Sequence, residues 1–290
     1  MPEPTFTVLG GRGFIGSHLV RHLRRQGHEV WVPERDDPAL FERELGQVVY
    51  AIGLTADFRR RPLETVEAHV GVLRRVLEAA SFDSLTYLSS TRVYAGAEST
   101  SEAAALRVDP NAPGDLYKLS KLMGEALCLH CGQPGMKVAR LANIVGAQPA
   151  PGPDSGAGNF IDALIDEGRR TGHVRLLTSL ASAKDYLGID DAVDLLARIA
   201  LSAHTGIFNV ASGCNMSNAE IKRLIEGQTG WPVSVAPDAP SWRFEPIDVN
   251  RLTQLFAPAP RLLASSFTTA FTALLRAAAA APLHLEGTPA

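Results

Sequence analysis

The chain has 290 residues, 46% hydrophobic and 20% charged, with 28 Lys and Arg against 31 Asp and Glu for a formal charge of −3. This is ordinary globular composition, long enough to bury a full core without staples, and its balance excludes the basic footprint of a general nucleic-acid binder. No apolar run approaches the ~20 residues of a membrane helix, no secretory signal is visible at the N-terminus, and Cys128, Cys131 and Cys214 are too few for a disulfide framework, so the expectation is a reduced, cytoplasmic protein without membrane or nucleic-acid partners.

Phe6 to Leu9 reads as a strand, and Phe14 to Gln26 as a helix with Ile15, Leu19, Val20 and Leu23 on one face. Glu29 to Val32 is a second strand, Pro38 to Leu45 a short helix, and Gln47 to Ile52 a third strand. Leu63 to Ala80 predicts a long helix, Leu85 to Ser89 a fourth strand, Leu116 to Leu129 a helix, and Met136 to Ala142 a fifth strand. This alternation predicts an α/β fold, a Rossmann-like doubly wound parallel sheet with helices on both faces.

The second half is less regular. Gln148 to Gly158 holds three prolines and three glycines, the mark of a loop or domain junction. Helices are expected over Phe160 to Arg169 and Ile189 to Leu201, the second opened by Asp190 and Asp191 at its positive end. Short pieces follow at Gly206 to Val210, Asn218 to Gly227 and Leu252 to Phe256. An alanine-rich helix is expected over Phe267 to Ala281, and a frayed end over Leu285 to Ala290. The expected division is a cofactor domain over 1–146, rejoined by 183–203, and a smaller, mainly substrate-binding lobe over 147–290.

Between strand one and helix one lies Gly10-Gly11-Arg12-Gly13-Phe14-Ile15-Gly16, with Gly10, Gly13 and Gly16 in G-x-x-G-x-x-G spacing. Glycines there let the backbone turn tightly and approach a pyrophosphate, which then rests on the helix N-terminus. Glu34, eighteen residues after Gly16, ends strand two, where a carboxylate holds the ribose hydroxyls of NAD and repels a 2′-phosphate. Arg12 and Arg35 are guanidiniums of the kind that pairs with that phosphate. NAD is the favoured cofactor, and NADP stays open.

Tyr117-Lys118-Leu119-Ser120-Lys121 contains Tyr-x-x-x-Lys, which puts Tyr117 and Lys121 on one helix face. A free tyrosine titrates near pH ~10, so a base working near neutrality needs roughly 4 kcal/mol of preferential phenolate stabilisation. A fixed ammonium at Lys121 and a positive nicotinamide ring are sources of it. A serine or threonine hydroxyl at the end of strand four, in Tyr87-Leu88-Ser89-Ser90-Thr91-Arg92-Val93-Tyr94, then binds the substrate oxygen.

With these residues the chain resembles the extended short-chain dehydrogenase/reductases, the NAD-dependent epimerase/dehydratase group, many of which act on nucleotide sugars. The likeness runs from about Phe6 to Gly213. Its carriers are residues 10–16, Ser-Ser-Thr-Arg-Val-Tyr at 89–94, Tyr-Lys-Leu-Ser-Lys at 117–121, Arg-Leu-Ala-Asn at 140–143 and Lys-Asp-Tyr-Leu-Gly-Ile-Asp-Asp at 184–191. The resemblance implies that Tyr117 is the acid/base and that Lys121 lowers its pKa and binds ribose. It places Ser90 as the hydroxyl residue with Thr91 the runner-up, and Asn143 and Lys184 at the substrate's phosphates. Ala51, Ile52 and Gly53 match the strand-end turn that passes the cofactor. It also implies a homodimer through the helices at 63–80 and 116–129.

Several positions depart from the family's pattern. Only fifteen residues separate Glu34 from Tyr50, so one β-α unit is expected to be missing after strand two. His69 stands where the family carries an asparagine. Arg92 and Thr91 stand where dehydratase members place an acidic pair, which marks dehydration down. The Cys128–Cys131 pair lacks further ligands for zinc, and no metal site is expected. Arg59-Arg60-Arg61 reads as solvated loop charge, and Arg243 is the charged substrate-contact candidate of the second half. The leading expectation is a sugar-modifying enzyme in which Tyr117 takes a hydroxyl proton while hydride leaves the same carbon, with epimerase-like return. The alternatives are an NADPH-dependent reductase of a keto sugar or small carbonyl, and a dinucleotide-binding regulator without catalysis.

Overall fold

Strand alternation builds two cores from one sheet. In the computed structural model, which describes residues 5–55, 57–148, 159–257 and 260–280, Phe6 and Val8 of β1 (Phe6–Leu9) pack on one face, and Leu9 packs on the other. The chain continues through α1 (Phe14–Arg25), β2 (Val30–Trp31), a 3₁₀ turn (Pro38–Phe41) and β3 (Gln47–Tyr50). Next come α2 (Pro62–Val66), a π-helical turn (Glu67–Gly71), α3 (Val72–Ala79), β4 (Ser84–Ser90), a 3₁₀ turn (Thr91–Tyr94), α4 (Asp115–His130) and β5 (Met136–Leu141). The remainder is β6 (Asn143–Val145), α5 (Phe160–Thr171), β7 (Val174–Leu176), β8 (Ala183–Gly188), α6 (Ile189–Leu201), β9 (Gly206–Val210), β10 (Asn215–Ser217), α7 (Asn218–Thr229), β11 (Val233–Val235), α8 (Asn250–Phe256) and α9 (Pro260–Ala280).

Six strands form one parallel sheet in the order β2-β1-β3-β4-β5-β9. Leu19 and Leu23 of α1 and Leu195 and Leu196 of α6 close one face; Leu73 and Val76 of α3 and Cys128 of α4 close the other. This is the expected Rossmann-like doubly wound sheet. Between β2 and β3 the described residues hold only the 3₁₀ turn, and β2 is the edge strand, so the sheet lacks a β-α unit there as its short spacing implied. The strand order reverses between β2-β1 and β3-β4, which opens a crevice at the carboxyl ends of β1 and β3. A second core joins α5, α7 and α9 to β7 and β8 through Leu164, Ile221, Phe267 and Phe271.

Two readings change, and four short strands join the expected elements. The helix expected over Pro38 to Leu45 is only the 3₁₀ turn, capped by Asp37 accepting from the Ala39 N–H at 3.0 Å. The helix expected over Leu63 to Ala80 widens into the π turn, whose Ala68 and His69 carbonyls accept the Tyr50 and Tyr87 hydroxyls at 2.6 and 3.3 Å. Short strands β6, β7, β10 and β11, three residues each, carry too few residues to show a period. The proline- and glycine-rich stretch lies, apart from Gln148, outside the described residues, as do Ala281 and the end over Leu285 to Ala290.

Behind the crevice lies a buried polar network. Glu125 of α4 and Arg140 of β5 pair at 2.6 Å with side chains only 4% and 3% exposed. Ser89 donates to Glu125 Oε1 at 2.5 Å, Arg140 Nη1 to the Tyr94 hydroxyl at 2.7 Å, and Tyr94 to Asn209 Oδ1 at 2.8 Å. Asn209 Nδ2 in turn holds the Thr100 and Asp248 carbonyls, both at 2.8 Å. Removing one partner of such a pair strands the other charge in the interior, at a cost of about 3 to 5 kcal/mol. Glu125→Ala is expected to lose stability of that order by urea denaturation; a loss below about 1 kcal/mol would show that the network is not what holds α4 to β4 and β5.

Candidate active site

At the end of β1, Gly10 takes φ +81°, and a Cβ there would sit 2.8 Å from the Ala51 carbonyl carbon. A Cβ on Gly16 would meet the Gly10 oxygen at 2.3 Å. The loop therefore closes on bare backbone, and α1 begins at Gly13 with no side chain capping it. That leaves the first N–H groups of a twelve-residue helix facing the crevice, the arrangement a pyrophosphate requires. Phe14 and Ile15 are half-buried against the core behind this loop. Ala51, Ile52 and Gly53 run past it, with Ala51 N donating to the Leu9 carbonyl at 2.8 Å. The residues present fit a dinucleotide.

Arg12 and Glu34 meet at the outer end of this cradle. The guanidinium grips both carboxylate oxygens, one arm at 2.5 Å, and holds the Glu34 carboxyl below its usual range. Both side chains are mostly exposed, and Arg35 beside them is exposed as well. The carboxylate and one of the guanidiniums read as rival ribose selectors are thus partners of each other.

The tyrosine centre sits at the carboxyl end of β4. Tyr117 is buried, with the side chains of Ser90 and Thr55 beside its hydroxyl. Ser90 is fixed by its role as cap of the next turn, its Oγ accepting from the Arg92 N–H at 3.2 Å. Thr91, half-buried, opens that turn. Burial pushes the Tyr117 phenol above its ordinary value; the hydrogen bonds from Thr55 and Ser90 and the charge of Arg92 pull the other way without overcoming it. Lys121, one turn on, is buried, donates to the Leu88 carbonyl at 2.9 Å, and lies 6.0 Å from the Tyr117 ring centre. Desolvation lowers its pKa to about 7, with Glu125 pulling it back up. A Cβ on Gly53 would lie 3.4 Å from Lys121 Nζ and 3.2 Å from His69 Nε2, so backbone, lysine and histidine converge there.

His69 is fully buried in the π turn. Its Nε2 accepts the Leu54 N–H at 3.3 Å, which assigns the proton to Nδ1, and that nitrogen bonds Ser120 Oγ at 2.8 Å. The Ser120 hydroxyl in turn donates a hydrogen bond to the Tyr117 carbonyl at 2.9 Å. Desolvation, reinforced by Lys121, lowers the imidazole's pKa to about 2, so it is neutral at any working pH. The ring meets Tyr117 edge-on, 5.4 Å between centres. His69 thus ties the β3–α2 loop, from which Thr55 projects, to the base of α4.

Arg92 lies over both Tyr117 and Phe58, its guanidinium carbon 5.4 and 5.0 Å from their ring centres. Lys184 of β8 lies over Phe160 at 5.2 Å, and burial and then Arg92 lower its pKa. Asn143 donates from Nδ2 to the Asp185 carbonyl at 2.8 Å and is otherwise exposed. Arg243 is exposed and lines a cleft of about 500 Å³ with Ala183, Asn215, Ser217 and Glu245. The structure therefore brings together the glycine loop, Ala51 to Gly53, Ser90, Tyr117 and Lys121, and sets Arg243 beside β8 and β10. Thr55 and Phe58 escaped sequence reasoning because the loop after β3 has no period or motif to mark them. Among the described residues no cluster of three metal-ligating side chains occurs, and no helix is long and apolar enough to cross a membrane.

A parallel sheet with a glycine cradle and a Ser-Tyr-Lys centre at its carboxyl edge defines a dinucleotide-binding protein of the short-chain dehydrogenase type. The profile of the NAD dependent epimerase/dehydratase family matches residues 6–211, and the chain belongs to that family. It is 26% identical over 271 residues to a UDP-glucose 4-epimerase of Mycolicibacterium smegmatis, covering 81% of this chain and 84% of that one. It is 23% identical over 309 residues to a dTDP-4-dehydro-6-deoxy-D-allose reductase of Streptomyces bikiniensis, covering 88% and 92%. Among solved structures it resembles MoeE5 in complex with UDP-glucuronic acid and NAD, with a TM-score of 0.75, 21% identity, and coverage of 94% of this chain and 99% of that one. MoeE5 with UDP-glucose and NAD gives a TM-score of 0.70, 21% identity, and coverage of 91% and 97%.

Two outcomes test this electrostatic picture. The folded-state pKa of Lys121, about 7, lies below its ordinary 10.5. Between those values the unfolded chain holds the proton and the folded chain does not, so folding gains stability as pH rises through that window. Lys121→Met removes this dependence, and its stability relative to the parent is expected to be more favourable at pH 6 than at pH 9; a pH-independent difference contradicts the assignment. The His69 imidazole is expected to show no NMR titration over about pH 5 to 8, where an ordinary histidine would.

Proposed function

We propose that this chain is an NAD(P)-dependent enzyme acting at a hydroxyl or keto carbon of a nucleotide sugar, epimerase-like, with Ser90, Tyr117 and Lys121 as its catalytic residues. The observation that carries this reading is the Tyr117 hydroxyl held between Ser90 and Thr55 beside a glycine cradle. Gly10, Gly13, Phe14, Ile15, Gly16 and Ala51 to Gly53 line the path of the dinucleotide, with Arg12, Glu34 and Arg35 at its adenosine end. A dinucleotide held there would supply hydride transfer at the sugar carbon and positive charge next to Tyr117. Ser90 holds the substrate oxygen, and Tyr117 takes its proton as the carbonyl forms and returns it as the hydroxyl re-forms. Lys121, anchored on the Leu88 carbonyl, supplies the ammonium that favours the phenolate. Thr55 is a second hydroxyl on Tyr117 and aligns the phenol.

Asn143, Lys184 and, from the cleft in the 147–290 lobe, Arg243 are the proposed contacts to the nucleotide and its phosphates, with Thr91 near the sugar. The exposed apolar side chains of Leu63, Val66 and Met123, on the two helices expected to dimerise, support a homodimer. A net reductase using NADPH is the second reading, supported by Arg12 and Arg35 at the ribose end, where a 2′-phosphate would compete with Glu34 for Arg12.

Mass spectrometry of the nucleotide released on denaturing the freshly purified protein separates the two. Stoichiometric NAD is expected, a cofactor kept and recycled in place. An empty protein that binds NADPH more tightly than NADH overturns the epimerase-like reading in favour of the reductase. Tyr117→Phe is expected to lose turnover by about 10²-fold or more while keeping dinucleotide binding; unchanged turnover would remove Tyr117 from the chemistry.

A further inference from the structure

We propose that Arg92 binds a carboxylate on the sugar beside the reacting carbon, so that the substrate class of this site is a nucleoside diphosphate hexuronate. The proposal rests on the nucleotide-sugar reading above and deepens it. Arg92 sits two residues after Ser90, in the turn that Ser90 caps, and its guanidinium lies against Phe58 and the Tyr117 ring. Among the described residues no carboxylate lies within ion-pair distance of it. Asp115 attracts it, yet that carboxylate accepts from the Asp109 N–H at 2.9 Å and lies 3.4 Å from Lys118 Nζ.

Beyond Asp115 and the Tyr117 phenol, both of which favour the protonated guanidinium, the charges around Arg92 repel it. Arg59 opposes its protonated form, and Arg92 in turn opposes that of Lys184. Arg59 and Arg92 both reach the start of α4, 3.8 and 4.0 Å from where a Cβ on Gly114 would stand. A partly buried guanidinium among like charges is costly unless an anion joins it. Its planar fork, steadied by two aromatic rings, matches a carboxylate in two-pronged geometry.

Two anions are available on such a substrate, the diphosphate on C1 and a carboxylate on C5. With C4 of the sugar as the reacting carbon, Tyr117 addresses the C4 hydroxyl. C1 lies across the pyranose ring from C4, whereas C5 is its direct neighbour. An arginine stacked on Tyr117 therefore meets a substituent of C5, while Lys184 and Asn143, on β8 and β6, remain for the diphosphate. The similar MoeE5 structures contain UDP-glucuronic acid in one case and UDP-glucose in the other, so likeness of fold does not choose between acid and neutral sugar; Arg92 does.

The test is calorimetric titration of the full chain with NAD present, using matched pairs: UDP-glucose and UDP-glucuronate, dTDP-glucose and dTDP-glucuronate, GDP-mannose and GDP-mannuronate. In the nucleotide series that binds, the hexuronate is expected to bind at least tenfold more tightly than the hexose. Arg92→Met is expected to bring that ratio to about one by weakening the hexuronate, and Arg92→Lys to retain part of it. Equal affinity of the parent protein for both sugars overturns the proposal without recourse to any variant. So does an Arg92→Met protein that weakens hexose and hexuronate alike, which would put Arg92 on the diphosphate. If no pair binds in any series, the nucleotide-sugar reading falls and this inference falls with it; binding without selectivity overturns this inference alone.

Discussion

The buried pair between Glu125 and Arg140 is the constraint around which the site is assembled. Tyr117, Lys121 and Glu125 follow one another at four-residue spacing on α4, so a single helix face carries the proposed acid/base, its lysine and the anchor. The anchor locks that face to β4 through Ser89 and to β5 through Arg140. Ser90, the residue after Ser89, is thereby delivered to the Tyr117 hydroxyl. The same network reaches Tyr94, Asn209 and the carbonyls of Thr100 and Asp248, joining β9 and two loops to the back of the site. Each polar group in it has a partner, the condition under which buried charge gives a rigid arrangement.

The electrostatics of the crevice run against the free chemistry of its residues. Burial raises Tyr117 and lowers Lys121, so the protein alone disfavours the tyrosinate–ammonium state that a base needs. The compensating charge is Arg92 on the tyrosine ring, joined in the proposed mechanism by the positive ring of the dinucleotide. His69 stays neutral and spends its two nitrogens on position, one on Leu54 and one on Ser120. The site is thus held by the Glu125–Arg140 network and the hydrogen bonds of neutral His69, with the guanidinium of Arg92 on the tyrosine ring.

Much of this was legible in the chain because it depends on local spacing. The glycine loop needs bare backbone at three positions, Tyr-x-x-x-Lys needs one helical turn, and the fifteen-residue gap after Glu34 leaves no room for another β-α unit. The short strands of the second half were not legible. Strand β10 pairs with β8 where Ser212 and Gly213 turn on the buried carboxylate of Asp185, a contact across 27 residues or more. Thr55 and Phe58 come from a loop with no pattern of its own. His69 and Arg92 were visible as departures from a pattern, but their partners were not.

By itself the sequence determined the class of fold and marked the glycine loop and the Tyr117–Lys121 spacing, because each follows from residue type and near-neighbour spacing. Only the tertiary structure decided which charges face one another. Arg12 spends its guanidinium on Glu34, Arg140 on Glu125, and Arg92 on no carboxylate of the described residues. The physical reason is that the energy of an ion depends on burial and on partners brought from distant parts of the chain, and neither is a property of local sequence.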